Sequence, residues 1–497
     1  MPRLAPVTSA TLRSVCCSLM RGSLLPSPRA LSPKRLLRNS RKPAPAASPR
    51  GEGGGEGEDS RASPKAPMAE RNSGGRALPH PNPLPQGEGT GRDALLPGGW
   101  WGRGHQAGRY HRRRRPRERR RARRWERMAQ DPLQTRLCEE YGCEYPIIAF
   151  AHTRDVTVAV SNAGGIGMLG QSTVSAEEMR TNIRWVKERV GDRPFGVDIT
   201  IPSSYVEGTR EELEQQVPQS HWDFIDRLIE ENDIPEPKTP PPWGNTRLRG
   251  LAETRAKLEI MMEERIPIFA SGLGSPAFVL NEMHDAGVKV WGLIGLARQA
   301  ARELDAGLDL IIAQGQDSAG HTGRMGTFSL VREVTALAEA HDTPIVAAGG
   351  ITTGAHIVAA LALGAVGVWT GTIWQATHES ETKQWEKERL LRAQNQDAWV
   401  STAMDGKRNR GIRNKYYEAW EAEGSPEPLP MPLQDIVGGK LLQAAEDWDL
   451  EDWAGPVAAG QGVGFVTEIK PARQVVFDLM GEAYDTLERM GHAAAGA

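Results

Sequence analysis

The segment "TPIVAAGGITTGAHIVAALALGAVGVWTGT" (343–372) decides the fold. It opens with an apolar run that stops at Gly349 and Gly350. A threonine-rich turn then leads into a stretch with apolar residues at helical spacing, and a second apolar run, "VGVWTGT" (366–372), follows. Strand, helix and strand in this order form a parallel βαβ unit, because two strands running the same way need a crossover, which a helix supplies. The runs do not alternate apolar with polar residues, as expected of strands covered on both faces.

The same rhythm extends upstream. Strands are predicted at "PIIAFA" (146–151), "GIGMLG" (165–170), "FGVDITIP" (195–202), "IPIFASG" (266–272), "KVWGLIG" (289–295) and "LDLIIAQG" (308–315), which with 343–350 and 366–372 makes eight. Between them lie helical segments such as "SAEEMRTNIRWVKERV" (175–190), "LARQAARELDAG" (296–307) and "TGAHIVAALALGA" (353–365). Eight βα units predict an α/β protein of the (β/α)8 TIM-barrel class. An open doubly wound sheet is the rival, since periodicity does not show closure. The barrel is expected over 128–385, with an insertion after strand three (203–250) and a mainly helical C-terminal extension (386–497) packing on it. Insertion and extension offer a lid, a contact for a homo-oligomer, or both.

Residues 1–127 follow other rules. They carry 28 Lys and Arg against 9 Asp and Glu, leaving 33 and 54 for the rest of the chain. Rich in Pro, Gly, Ser and Arg and without periodicity, this segment is expected to be disordered. Globular composition begins at Met128, which makes a mis-assigned start the preferred reading, ahead of a disordered or targeting tail and of a nucleic-acid arm built on "HRRRRPRERRRARRWER" (111–127). No apolar run approaches the roughly 18 to 20 residues that span a bilayer. The C-x4-C pair Cys138 and Cys143 lacks a second pair to complete a zinc site, so no metal is expected, and reduced thiols in a cytoplasmic setting are.

In a barrel the loops after the strands carry function, and a phosphate commonly sits between the ends of strands seven and eight. Those ends supply Gly349, Gly350, Gly371 and Thr372, with the start of a helix near Thr353 adding its positive end. After strand six, His321 stands between Gly320 and Gly323, where the backbone can pass close to a flat ligand while an imidazole moves a proton. Gln314 and Asp317 share that strand end. Asp198 interrupts the apolar third strand and must find partners or shift its pKa. His152 follows strand one. Trp291, Trp369 and Trp374 suit stacking on a ring, though buried packing is the commoner fate of such residues.

These blocks, "YPIIAFAH", "AVSNAGGIGMLG", "RPFGVDITIP", "AQGQDSAGHTG", the 343–372 segment without its first residue, and "AAGQGVGFV", resemble the nitronate monooxygenase family in order and spacing over about 144–480. The resemblance implies non-covalent FMN, His321 as catalytic histidine near the reactive flavin edge, and a phosphate held by Gly349, Gly350, Gly371 and Thr372. It sets Ala319 and Gly320 against the flavin ring or ribityl chain, and Ala151, His152 and Thr153 against the flavin as well, with Gln314 a weaker member. Asp198 stands where many relatives have Asn, His152 where a methionine is common, Leu293 where some NADH users have lysine, and Ile373 where arginine often follows the G-T pair. The implied activity is oxidation of a nitronate or nitroalkane by O2, giving a carbonyl compound and nitrite. An NAD(P)H-dependent flavin reductase acting on a quinone or enoyl thioester, and a flavin-free phosphate-binding barrel, are the alternatives.

Overall fold

The computed structural model describes residues 131–201, 209–241 and 251–495. The expectations for 1–127 and for Met128 lie outside these residues, as do parts of the 203–250 insertion. Eight parallel strands close into a barrel: β1 (Ile147–Ala151), β2 (Ile166–Gly170), β3 (Phe195–Thr200), β4 (Ile268–Gly272), β5 (Lys289–Ile294), β6 (Leu310–Gln314), β8 (Ile345–Ala348) and β9 (Gly367–Thr370). Closure is made by β9 against β1, with Ile148 opposite Trp369. The two-residue β7 (Gly320–His321) lies outside the barrel. The open-sheet rival therefore falls, and this is a TIM barrel.

The apolar runs are continuous because both faces of each strand are buried. Ile148, Met168, Ala270, Ile312 and Val346 belong to one buried cluster. Their neighbours Ala149, Leu169, Phe269, Ile311 and Ala347 belong to the larger cluster shared with the surrounding helices. The first cluster also holds Trp291, whose indole N–H donates to the Tyr141 hydroxyl at 2.9 Å, with the rings edge-on at 4.9 Å. Trp291 is thus a packing residue.

Beyond β9 the chain does two things. A hairpin of β10 (Ala398–Ser401) and β11 (Asn409–Ile412) adds to β7 as a three-stranded antiparallel sheet. The mainly helical extension thus contains strands, and they reach back to the loop after β6. The last helix, Ala472–Ala495, then packs between helices Gly354–Ala362 and Arg154–Asn162, taking the eighth outer place of the ring. The contact is close: a Cβ on Gly354 would lie 2.3 Å from the Ala483 nitrogen. The insertion helix Gln219–Glu231 joins helices Lys415–Glu421 and Leu433–Asp447 around Phe224, Tyr416, Trp420 and Leu441, a core separate from the barrel. Among the described residues no helix is long and apolar enough to cross a membrane.

Candidate active site

The twelve positions expected to do catalysis or contact the cofactor, from Ala151 to Thr372, all line one cavity of about 1810 Å³ at the C-terminal ends of the barrel strands, whereas Asp317 and Trp291 do not. A ligand pocket usually measures about 300 to 1,000 Å³, so there is room for more than one small molecule.

One end of the cavity is built from backbone. Strands β8 and β9 pair through Ala348 and Trp369, so the tips that follow them stand side by side. Gly349 and Gly350 have φ of +108° and +71°, a region that disfavours any side chain, and a Cβ on Gly349 would fall 2.7 Å from the Thr327 hydroxyl. Gly371 has open space at its α-carbon. Thr372 begins a short helix, so its amide lacks an acceptor within that helix. No hydrogen bond engages the amides of Gly350 and Gly371 among the described residues. The C-terminal loop covers this end: Gly460 N–H donates to the Thr372 hydroxyl at 3.0 Å, and Gln461 N–H donates to the Asp317 carbonyl at 2.9 Å. The Thr352 hydroxyl at the same end is buried without a partner. Unpaired donors around open space are a site for an anion.

The other end holds the titratable groups. His321 lies on β7, paired with Asn409 of β11, and its Nε2–H donates to Asp405 Oδ2. Asp405 is buried, and its second oxygen accepts the Lys407 amide at 3.0 Å. With the proton fixed on Nε2, the lone pair of the ring rests on Nδ1. Gln314 serves the loop: its amide donates to the His321 carbonyl at 2.9 Å and to the Ser318 hydroxyl at 3.1 Å. Asp317 likewise holds the loop, accepting the Thr327 amide at 2.9 Å.

Asp198 projects from β3 with 6% exposure, and its carboxyl has no hydrogen-bond partner among the described residues. Burial pushes this carboxyl up to about 7. His152 sits nearby with Nδ1 at 3.3 Å from the Gly170 carbonyl; burial holds the imidazole below its ordinary value, against the raising effect of that bond. Ala151 closes β1, and the Thr153 hydroxyl accepts the Glu381 amide at 3.1 Å, so Thr153 ties the chain after β9 to this wall. Trp369 stacks on Phe150 at 5.6 Å, and Trp374 is buried with its N–H bonded to Thr370. Ala319 and Gly320 line the cavity between its two ends.

Sequence reading missed Asp405, Arg410 and Gly460. The buried Arg410 guanidinium donates to the Gln316 carbonyl at 3.1 and 3.0 Å, fastening the hairpin to the loop that carries His321. Asp405 directly precedes the basic stretch "GKRNRGIRNKYYEAW" (406–420), and nothing local there announces its partner 84 residues upstream.

Comparison with known proteins adds to this geometry. The family model for nitronate monooxygenase matches residues 136–482. A Mycobacterium tuberculosis protein provisionally named a monooxygenase is 36% identical over 374 residues, 72% of this chain and 98% of that one. A nitronate monooxygenase of Paraburkholderia phytofirmans is 30% identical over 363 residues, 70% of this chain and 95% of that one. Among solved structures, FabK of Thermotoga maritima matches with a TM-score of 0.56 at 27% identity, over 72% of this chain and 99% of that one. Barrel, cavity and matched span together place the chain in the nitronate monooxygenase family, among the flavin-dependent oxidoreductases.

Proposed function

We propose that the chain binds FMN and oxidises alkyl nitronates with O2 to a carbonyl compound and nitrite. The observation that carries the reading is the pairing, within one cavity, of an amide-lined anion end with an imidazole held by a buried carboxylate. The residues fit the cofactor. The amides of Gly350, Gly371 and Thr372 would hold its phosphate, with the partnerless Thr352 hydroxyl available to it. The positive φ of Gly349 brings that turn into place. Ala319 and Gly320 would lie against the ring or ribityl chain, and Ala151, His152 and Thr153 would form the facing wall. Asp198, buried without a partner, would meet a polar edge of the ring. When bound, FMN supplies the electron acceptor and the reaction with O2.

The chain's own part is proton handling and orientation. Nδ1 of His321 accepts the α-proton of a neutral nitroalkane, and Asp405 stabilises the imidazolium that results. When the substrate arrives as its anion, the protonated ring steadies the nitro group instead. Gln314 and Arg410 keep the loop from drifting. In His321→Ala, turnover of a neutral nitroalkane should fall by about 10²- to 10⁴-fold with FMN retained. Pre-formed nitronate should be less affected, and full activity on the neutral substrate refutes the role.

The size of the cavity supports a second reading, an NAD(P)H-dependent flavin reductase, since a dinucleotide needs space beyond that of FMN. Anaerobic mixing separates the two: rapid bleaching of the flavin band by NAD(P)H supports the reductase, and bleaching only by a nitronate supports the monooxygenase.

A further inference from the structure

Among the described residues the amide-lined end of the cavity has no lysine or arginine, whereas the rim beside His321 is crowded with them. Arg298 and Arg302 come from helix Ala297–Ala306, Arg324 from the loop after β7, and Lys407 and Arg408 from the turn before β11; all five line the cavity. Three elements far apart in sequence meet here. A Cβ on Gly323 would lie 3.3 Å from the Gly295 carbonyl oxygen, and Arg408 Nε donates to the Gly323 carbonyl at 3.4 Å. The start of the Arg298 helix, the Arg324 loop and the Arg408 turn therefore share one junction, two residues from the imidazole.

Local energetics oppose this placement. Arg298 is the second residue of its helix, where the macrodipole disfavours positive charge, and Arg302 stands one turn on, where like charges repel. Arg298 and Arg324 have no ion-pair partner among the described residues. Of the nearby acids, Asp405 is engaged with His321, Glu446 with Lys383 at 2.9 Å, and Glu303 accepts the Ser275 hydroxyl at 2.8 Å while also facing the charge of Arg302. Arg298, Arg324 and Arg408, gathered from three elements without an ion-pair partner among the described residues, are explained by a ligand that brings its own negative charge.

We propose that this rim is a second anion site, which takes the phosphate or diphosphate of a phosphorylated substrate or co-reductant while its reactive carbon lies at His321. The proposal rests on the reading above in one respect: the amide-lined end is taken by the cofactor's own phosphate.

Isothermal titration of the full-chain holoenzyme with inorganic pyrophosphate, at fixed ionic strength, tests it. Saturable binding is expected, weakened by about tenfold or more in Arg298→Gln/Arg302→Gln. Bound-flavin absorbance per chain should stay constant, and Arg298→Lys/Arg302→Lys should recover part of the affinity. Absence of saturable binding, equal affinity in the glutamine variant, or release of flavin by pyrophosphate overturns the proposal. Binding is read without turnover, so a chain that fails to oxidise nitronates can still pass or fail here independently. ADP distinguishes the source. Affinity about tenfold above that of pyrophosphate assigns the site to a dinucleotide reductant, and equal or lower affinity assigns it to the substrate's own phosphoryl group.

Discussion

Replacing Asp198 by Asn should stabilise the folded chain at alkaline pH and leave it nearly unchanged near pH 4. Burial pushes this carboxyl up to about 7, whereas in the unfolded chain it titrates near the ordinary value of about 3.9. Below both values it is protonated in either state and costs nothing. Between them the folded chain keeps a proton that the unfolded chain has released, so stability falls as pH rises through this window. Above about 7 both states are ionised and the penalty stays constant. A gap of about three pKa units at 1.36 kcal/mol each sets its size at about 4 kcal/mol, an upper bound because water and neighbours relax around the charge. Asn keeps the shape without the charge. Denaturant titrations of cofactor-free wild type and Asp198→Asn at pH 4.5 and pH 8.5 measure the effect, since every other titrating group cancels in the comparison. The variant's advantage should grow by several kcal/mol between the two pH values. An advantage that does not change with pH would mean that this carboxyl ionises as though hydrated, and would refute the reasoning.

Asp405→Asn should lower kcat for a neutral nitroalkane by about 10²-fold, with KM and flavin content kept, because the imidazole loses its orienting carboxylate; a wild-type kcat contradicts the pairing. Gly349→Ala forces a side chain into φ of +108° and toward the Thr327 hydroxyl. It should cost about 1 to 3 kcal/mol and reduce the flavin retained on purification, read by denaturation and by absorbance per chain. Arg410→Ala leaves the Gln316 carbonyl without its buried donor and should destabilise by about 1 to 3 kcal/mol. An unchanged unfolding midpoint would show that the hairpin holds its loop without this residue.

The barrel was legible because its physics is local. A strand buried on both faces must read as a continuous apolar run, and runs such as "PIVAA" and "LIIAQ" became β8 and β6 with ends shifted by a residue or two. Gly349 and His321 were legible for the same reason: a turn at the end of a strand announces itself in glycine, and a lone imidazole there stands out. What was hidden is nonlocal. Asp405 meets His321 only because β11 pairs with β7, a register set by two residue pairs and by Arg410 reaching across to Gln316. The helix Ala472–Ala495 could be seen as a helix but not as the ring's eighth member, because its place follows from the whole extension folding back. The insertion read as a charged helical segment forming a lid or lobe; what stayed hidden is that its apolar residues Phe224, Ile225 and Leu228 pack with Trp420 and Leu441 from the other end of the chain.

In the proposed function this cavity holds a flavin that takes electrons from a nitronate. Anaerobic stopped-flow absorbance of the protein as purified tests it most directly. A visible flavin band should bleach on mixing with an alkyl nitronate, recover on admitting O2 with release of nitrite, and not bleach rapidly with NADH or NADPH. A colourless protein that takes up no FMN, or a band that NAD(P)H bleaches and a nitronate leaves untouched, would contradict it.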